Sequence, residues 1–408
     1  MTSNGRRARV EIRLKAMSAV VASPAFAVVF LLVGAGACTR AGDVLGPAGV
    51  VVLHASAVRL ATGDVHACAV AGGALSCWGN DVDGQLGADA GPAGAQRRVN
   101  VPGTWLAPAA GSHHSCALAT DGAVSCWGAN DKGQLGVGDL VASSSPRPVP
   151  LPAEAIELRT RFEFTCALLT DASLWCWGLN WEGQLGQGDQ HPGTDRSSPV
   201  QLGSEHDWVY VGTGQGHGCG IRAPGALYCW GRNTDGQLGQ GSTQQPQVRA
   251  PVQVGTDSDW VEVACAQSAT CARKRDHSLW CWGTMGSGAL AVGDVAPRLV
   301  ATRVPVYTDW MSVAMSAFHT CGLRTGGQIW CAGRNTEGQL GSLDMRDAIP
   351  TMLLADPDPG WVEVDAGHFF TCARKADDSV WCTGQNSDGQ LGADPATLAR
   401  SSVFVRAH

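Results

Sequence analysis

At 408 residues the chain is long enough for several ordinary domains, but 44% apolar and 16% charged residues, with 53 Gly and 20 Pro, describe a turn-rich, well-buried β composition. A formal net charge of −7, with only three lysines beyond Lys15, argues against nucleic acid as a partner, because phosphate binding needs clustered Lys and Arg. No helix-period pattern of useful length occurs outside the N-terminus.

Residues 1–37 read as an export signal. Arg6, Arg7, Arg9, Arg13 and Lys15 precede an apolar run from Ala16 to Ala37. The run ends in Gly34-Ala35-Gly36-Ala37 before Cys38. That ending resembles a bacterial lipoprotein signal, with Ala35 where Leu is commonest. The resemblance implies that Cys38 becomes the lipidated first residue of an exported protein of the cell envelope or outer membrane. Plain secretion is a second reading. A retained anchor is a third, since the run is about long enough to span a bilayer. Residues 38–56 are expected to form a Gly/Ala/Val-rich tether.

Residues 57–408 are periodic. Trp127-Gly128-Ala129-Asn130-Asp131-Lys132-Gly133-Gln134-Leu135-Gly136 recurs, with variations, seven times. One copy has Asp81 in place of the Asn, and the copy from Trp282 to Ala291 has lost both Asn and Gln. The spacing between copies is about fifty residues, and each unit carries four short strand signals. In order these are a segment such as Trp208-Val209-Tyr210-Val211, a segment such as His114 to Leu118, one such as Leu174 to Trp177, and a weaker one such as Pro199 to Leu202. Four strands per repeat, seven times over, predict an all-β, seven-bladed β-propeller with four-stranded antiparallel blades.

The cysteines test that prediction. Fourteen of the 16 fall in pairs: Cys68 and Cys77, Cys116 and Cys126, Cys166 and Cys176, Cys219 and Cys229, Cys271 and Cys281, Cys321 and Cys331, Cys372 and Cys382. A two-residue Gly72-Gly73 turn places Cys68 opposite Cys77. A three-residue loop, Thr120-Asp121-Gly122, places Cys116 opposite Cys126. The one pair that is a residue closer in sequence thus has a turn one residue shorter. Opposed positions bring Cβ atoms within disulfide reach, so one disulfide per blade is expected, in an oxidising compartment. Metal ligation is the weaker rival, because CxxC spacing is absent. Of the remaining two, Cys38 has the lipid explanation, and Cys265 stands where sister repeats hold Ala110 and Ala366, which suggests a buried free thiol.

Strand parity turns Trp175 and Trp177 away from Cys176, and both are expected in the core between blades, together with Leu135. His66, His114, His217 and His319 share one repeat position and are read as structural hydrogen-bonding groups. Asp81-Val82-Asp83-Gly84 hints at calcium but lacks the flanking ligands, and no catalytic motif is present, so no cofactor, metal or catalytic residue is assigned. The segments after each Gly-Gln-Leu-Gly vary freely and should emerge on one face. Trp181, in a loop slot that elsewhere holds Asp131 or Thr234, is the candidate recognition anchor. The C-terminal Val403-Phe404-Val405 is expected beside Val58-Arg59-Leu60, closing the ring.

At Gly-x-Asn-x-x-Gly-Gln-Leu-Gly and the His-x-Cys-Ala-Leu strand, the chain resembles the regulator of chromosome condensation repeat family over about residues 57–408. The resemblance implies a seven-bladed propeller that serves protein recognition. The family's nucleotide-exchange activity does not carry over residue by residue, since the repeated motif is scaffold. The function expected is a surface-anchored, monomeric, non-catalytic binding module for a protein or glycan ligand. The alternative is a carbohydrate-active enzyme, a hydrolase or lyase, using carboxylates at the channel mouth.

Overall fold

The computed structural model describes residues 59–87, 97–98, 104–189 and 194–407. The expected leader, Cys38, the tether and Val58 lie outside them. The described residues form seven four-stranded antiparallel sheets in simple meander order, each built from one repeat. These are blades 1 to 7, in chain order.

First strands line the axis: Leu60–Thr62, Trp105–Ala110, Ala155–Arg161, Trp208–Thr213, Trp260–Cys265, Trp310–Met315 and Trp361–Ala366. Each touches the first strand of the next blade, and the last touches the first, so the ring is closed. Fourth strands, such as Arg196–Gln201 and Arg400–Arg406, lie outermost.

The hairpins have the register that the cysteine spacing requires. Cys68 faces Cys77 across Gly72-Gly73, and Cys116 faces Cys126 with Ala119 bonded to Ala123. All seven expected disulfides are present, one per blade, with Cα atoms 4.0–4.1 Å apart. In chain order Cys68 is bonded to Cys77, Cys116 to Cys126, Cys166 to Cys176 and Cys219 to Cys229. Cys271 is bonded to Cys281, Cys321 to Cys331 and Cys372 to Cys382. The Cys271–Cys281 bond forms in the blade whose motif lost its Asn and Gln, because hairpin register, not the motif loop, opposes the two positions. Cys331 likewise faces Cys321 although Ala332 replaces the following Trp. The last loop residue is left-handed, with φ +83° at Gly122. Ala172, His277 and Asp378 take that conformation in later blades.

Seven apolar cores lie between blades rather than within them. In each, the disulfide and motif leucine of one blade meet large side chains of the next. Cys166, Cys176 and Leu185 of blade 3, for example, pack on Trp208 and Trp230 of blade 4. Trp177 is fully buried in the core shared by blades 2 and 3, and Trp175 packs half-buried at its edge. The two differ because Trp177 is roofed by the preceding motif loop, whereas Trp175 sits by the hairpin, where Ser173 Oγ accepts its N–H at 2.9 Å.

The C-terminal strand meets one expectation in part. Arg400–Arg406 pairs with the third strand of its own blade, and Phe404 packs against Trp361, 5.2 Å away, in the core of blades 6 and 7. Closure runs face to face instead. Leu60 and Trp78 of blade 1 share a core with Phe370, Cys372 and Cys382, to which Val405 and Ala407 add the chain end. A repeat that supplies all four strands of its blade leaves no strand position for another blade to fill.

Candidate interaction face

The asparagine of the repeated motif spends its side-chain polar atoms on its own loop. Oδ1 of Asn130, Asn180, Asn233, Asn335 and Asn386 accepts the N–H of the motif leucine at 2.8–3.3 Å, and Asp81 does the same for Leu86 at 2.9 Å. Each asparagine Nδ2 donates to a carbonyl of the variable segment at 2.9–3.2 Å, at Asp139, Asp189, Ser242, Ser342 and Ala393. A constant amide thus anchors a loop of free sequence. In blade 5 the Asn and Gln positions hold Met285 and Ala289, both buried, and the turn survives on backbone bonds.

The motif also joins blades. Indole N–H groups of Trp78, Trp127, Trp177, Trp230 and Trp282 donate to the main-chain carbonyl of the motif glutamine one blade back, at 2.8–3.0 Å. Gly136 lets Trp177 approach, since a Cβ there would lie 2.6 Å from its Nε1. The four histidines do what their repeat position suggests. Nε2 of His66, His114, His217 and His319 meets the hydroxyl of Ser115, Thr165, Thr270 and Thr371 in the next blade, at 2.7–3.0 Å. Those hydroxyls donate onward to a motif glutamine carbonyl, so each imidazole must donate as a neutral ring. Burial drives the imidazole pKa down, to about 4 at His66 and about 3 at the other three.

Motif loops and the turns between first and second strands emerge on one face, as the alternation of strand direction requires. Trp181 stands there, 54% exposed, with the Lys132 ammonium of blade 2 5.6 Å from its ring centroid. It leans on a neighbouring blade's motif rather than folding into its own. Nearby, burial raises the pKa of Glu163 and Asp195, each helped by the charge of Asp131. Asp81 and Asp83, the calcium hint, are engaged with Leu86 N–H and with His113 Nδ1 at 3.0 Å.

Across the axis, Phe318, His368 and Phe369 stack with centroids 4.4–5.0 Å apart, and the Arg334 guanidinium lies over Phe318 and Phe369 at 5.4 and 5.6 Å. The inner strands carry carboxylates, and each is engaged. Glu157 pairs with Arg159 at 2.8 Å. Glu262 pairs with Arg273 at 2.8 Å and accepts Val313 N–H. Glu363 pairs with Arg374 and accepts the N–H groups of Arg59 and Leu60, while Asp365 holds Thr62. Arg159 and Arg161 were not singled out from the sequence. The signal was available, since sister repeats hold only Gly, Ala or Asp at the first position and Gly, Ala or Ser at the second.

On the opposite face, Lys274 lies between Trp260 and Trp280 and pairs with Asp257 and Asp259 at 2.6 and 3.1 Å, and Lys375 repeats the arrangement on Trp361, Trp381 and Asp358. These turn acids are structural partners of a stacked cation. Cys265 is the free cysteine among the described residues, buried, with its thiol directed at Gly212 O and its pKa pushed by burial to about 12. It lies near His217 and Cys219, but Cys219 is bonded to Cys229, so the trio offers no three-ligand metal site as it stands.

The Regulator of chromosome condensation (RCC1) repeat is matched twice over, by one family model at residues 171–221 and 224–273 and by a second at 109–134, 208–237, 312–339 and 361–390. The chain belongs to the regulator of chromosome condensation repeat family. Members similar to it include the Ultraviolet-B receptor UVR8 of Arabidopsis thaliana, 30% identical over 48% of this chain and 45% of the receptor. The X-linked retinitis pigmentosa GTPase regulator homolog of Caenorhabditis elegans is 32% identical over 21% of this chain and 6% of its own length. The chain therefore spans less than half of these curated relatives. Among solved structures, Prp20p of Saccharomyces cerevisiae superposes with a TM-score of 0.72 at 19% identity, over 83% of this chain and 87% of that one. Human WBSCR16 gives 0.72 at 17% identity, over 82% and 94%. Family and fold together make this chain a propeller interaction module.

Proposed function

We propose that the protein is a non-catalytic binding propeller, exported and held at the cell surface through Cys38 or secreted, that recognises a protein ligand on its motif-loop face. The observation that carries this is the division of labour within each repeat. Asn and Trp of the motif are consumed by scaffold bonds, while the loops that they hold vary in length and, outside a Gly-Asp step common to three of them, in sequence. Seven disulfides support an oxidising compartment. Among similar structures, yeast RCC1 (Prp20) is bound to Kap60, and Prp20p is described with binding properties to Gsp1p and histones, which supports protein over glycan. An enzyme of the hydrolase or lyase type needs two available carboxylates, and those of the inner strands are tied to arginines or main-chain N–H groups.

The test is a pull-down from cell-surface material with immobilised residues 39–408, run beside Trp181→Ala. One protein retained by the wild type and lost in the variant supports the reading. Equal retention by both, or none by either, overturns Trp181 and this face as the binding surface.

A further inference from the structure

Blade 3 breaks the repeat at the axis. Five residues before the first paired cysteine, the other blades hold Gly63, Gly111, Gly214, Ala266, Ser316 and Gly367, whereas blade 3 holds Arg161. Its guanidinium crosses the ring and donates Nη1 to the Ala366 carbonyl of blade 7 at 3.1 Å. This contact joins two blades that are not neighbours, at the end of the channel where the motif loops stand.

Arg161 is half-buried, yet among the described residues no carboxylate oxygen lies within salt-bridge distance of it. Arg159, two residues earlier on the same strand, has Glu157 at 2.8 Å. Two acids of neighbouring blades are occupied: Asp365 holds the Thr62 N–H and hydroxyl at 2.7 and 2.9 Å, and Asp64 accepts the hydroxyl of Ser112. Around the same mouth stand Gln215 and Gln267, whose side-chain amides make no hydrogen bond among the described residues. Beside them is the half-exposed stack of Phe318, His368 and Phe369. A guanidinium has five donors in a planar fork, and here one is used within the protein.

We propose that the channel mouth is a socket for one carboxylate side chain of a protein partner, gripped by Arg161, with the flanking apolar residue of that partner laid on Phe318 and Phe369. The proposal rests on the protein-binding reading and adds the chemistry of the contact. A carboxylate fits better than a phosphate. The fork matches a planar monoanion, and the other guanidiniums near it are already paired, Arg159 with Glu157 at 2.8 Å and Arg334 with Asp347 at 3.1 Å, so the added charge is that of one cation.

The test compares two capped peptides, Gly-Phe-Glu-Phe-Gly and Gly-Phe-Gln-Phe-Gly, titrated into the full chain and into Arg161→Gln at low and high salt. The expected result is at least tenfold tighter binding of the Glu peptide to the wild type, about 1.4 kcal/mol. Arg161→Gln should erase that preference, and high salt should reduce it. Phe318→Ala, which leaves the Arg161 contact in place, should weaken both peptides alike. Equal affinity for the two peptides, an unchanged preference in Arg161→Gln, or no binding of either at millimolar concentration overturns the socket. The readout uses no natural partner, so it can fail while protein binding through Trp181 stands.

Discussion

The indole N–H of Trp177 donates to the main-chain carbonyl of Gln134 at 3.0 Å, so the last aromatic of one blade is hydrogen-bonded to the motif of the blade before it. Five blades repeat the bond. The signature of the repeat is therefore a joint between blades, and its residues are placed to hold a ring rather than to meet a ligand.

Trp177→Ala should cost about 3–5 kcal/mol, because it removes a fully buried indole and strips a carbonyl of its best donor. Trp175→Ala, two residues away and half-buried, should cost less than half as much. Urea unfolding of the two variants checks the order, and equal losses would contradict this placement of the joints.

A non-reduced digest should yield seven linkages, each within one blade, and, among the described residues, a single alkylatable thiol at Cys265. The Cys219–Cys229 linkage of blade 4 is the most telling, since the Cys265 thiol lies within 4.8 Å of the Cys219 sulfur and any exchange would appear there as a Cys265–Cys219 or Cys265–Cys229 peptide. Burial pushes the Cys265 thiol to about 12, so in the native protein at pH 8 it should resist iodoacetamide and react only after denaturation. Fast native labelling would show that blades 4 and 5 do not close over it.

The buried histidines give the ring an acid limit. Their folded pKa values are depressed to about 3–4, below the ordinary 6.5, so between those values the unfolded chain binds more protons than the folded one. Stability from this source is complete above pH 6.5 and is lost as pH falls toward 4. Each histidine contributes a slope of at most about 1.4 kcal/mol per pH unit. His114→Phe, which copies Phe164 and Phe370 at the same repeat position, should flatten the acid limb of a denaturation-versus-pH curve. An unaltered limb would assign acid sensitivity elsewhere.

Most of this was legible because repetition multiplies weak signals. The match of turn length to spacing at Cys68 and Cys77, and at Cys116 and Cys126, determined register, and register determined which faces of the strands met. The same register carried the pairing to Cys281 and Cys331, in repeats whose other signature residues have drifted. The shared position of the four histidines likewise pointed to one bond made several times. What repetition hides is the exception. Arg161 has no periodic partner, and its meaning depends on Ala366, 205 residues away across the axis. At Val403-Phe404-Val405 the expected contact with the first repeat is made by Val405, in the core of Leu60 and Trp78, whereas Phe404 turns to Trp361, a division that strand parity imposes.

Closure itself is carried by Glu363. Its Oε1 accepts the N–H groups of Arg59 and Leu60 at 2.9 and 3.1 Å, while Oε2 holds Arg374 at 2.8 Å. Glu262 makes the same arrangement with Val313 N–H, at 3.3 Å, and Arg273. The carboxylate thus serves as an acceptor for the axial edge of the next blade, a row of donors that no strand covers. Glu363→Ala leaves Arg374 with Asp378 alone, at 2.8 Å, and two N–H groups without an acceptor, and should cost on the order of 2 kcal/mol. Glu262→Ala should cost a similar amount in calorimetry, but with a different kinetic consequence. Blades 5 and 6 are joined by continuous chain, whereas blades 7 and 1 meet only through side chains and the closure contacts. Proteolysis under native conditions should therefore begin near residues 59–62 and 400–407 in Glu363→Ala and leave those ends protected in Glu262→Ala. Equal protection of the termini in both variants would mean that the shared core of Leu60, Trp78 and Phe370 closes the ring without the carboxylate.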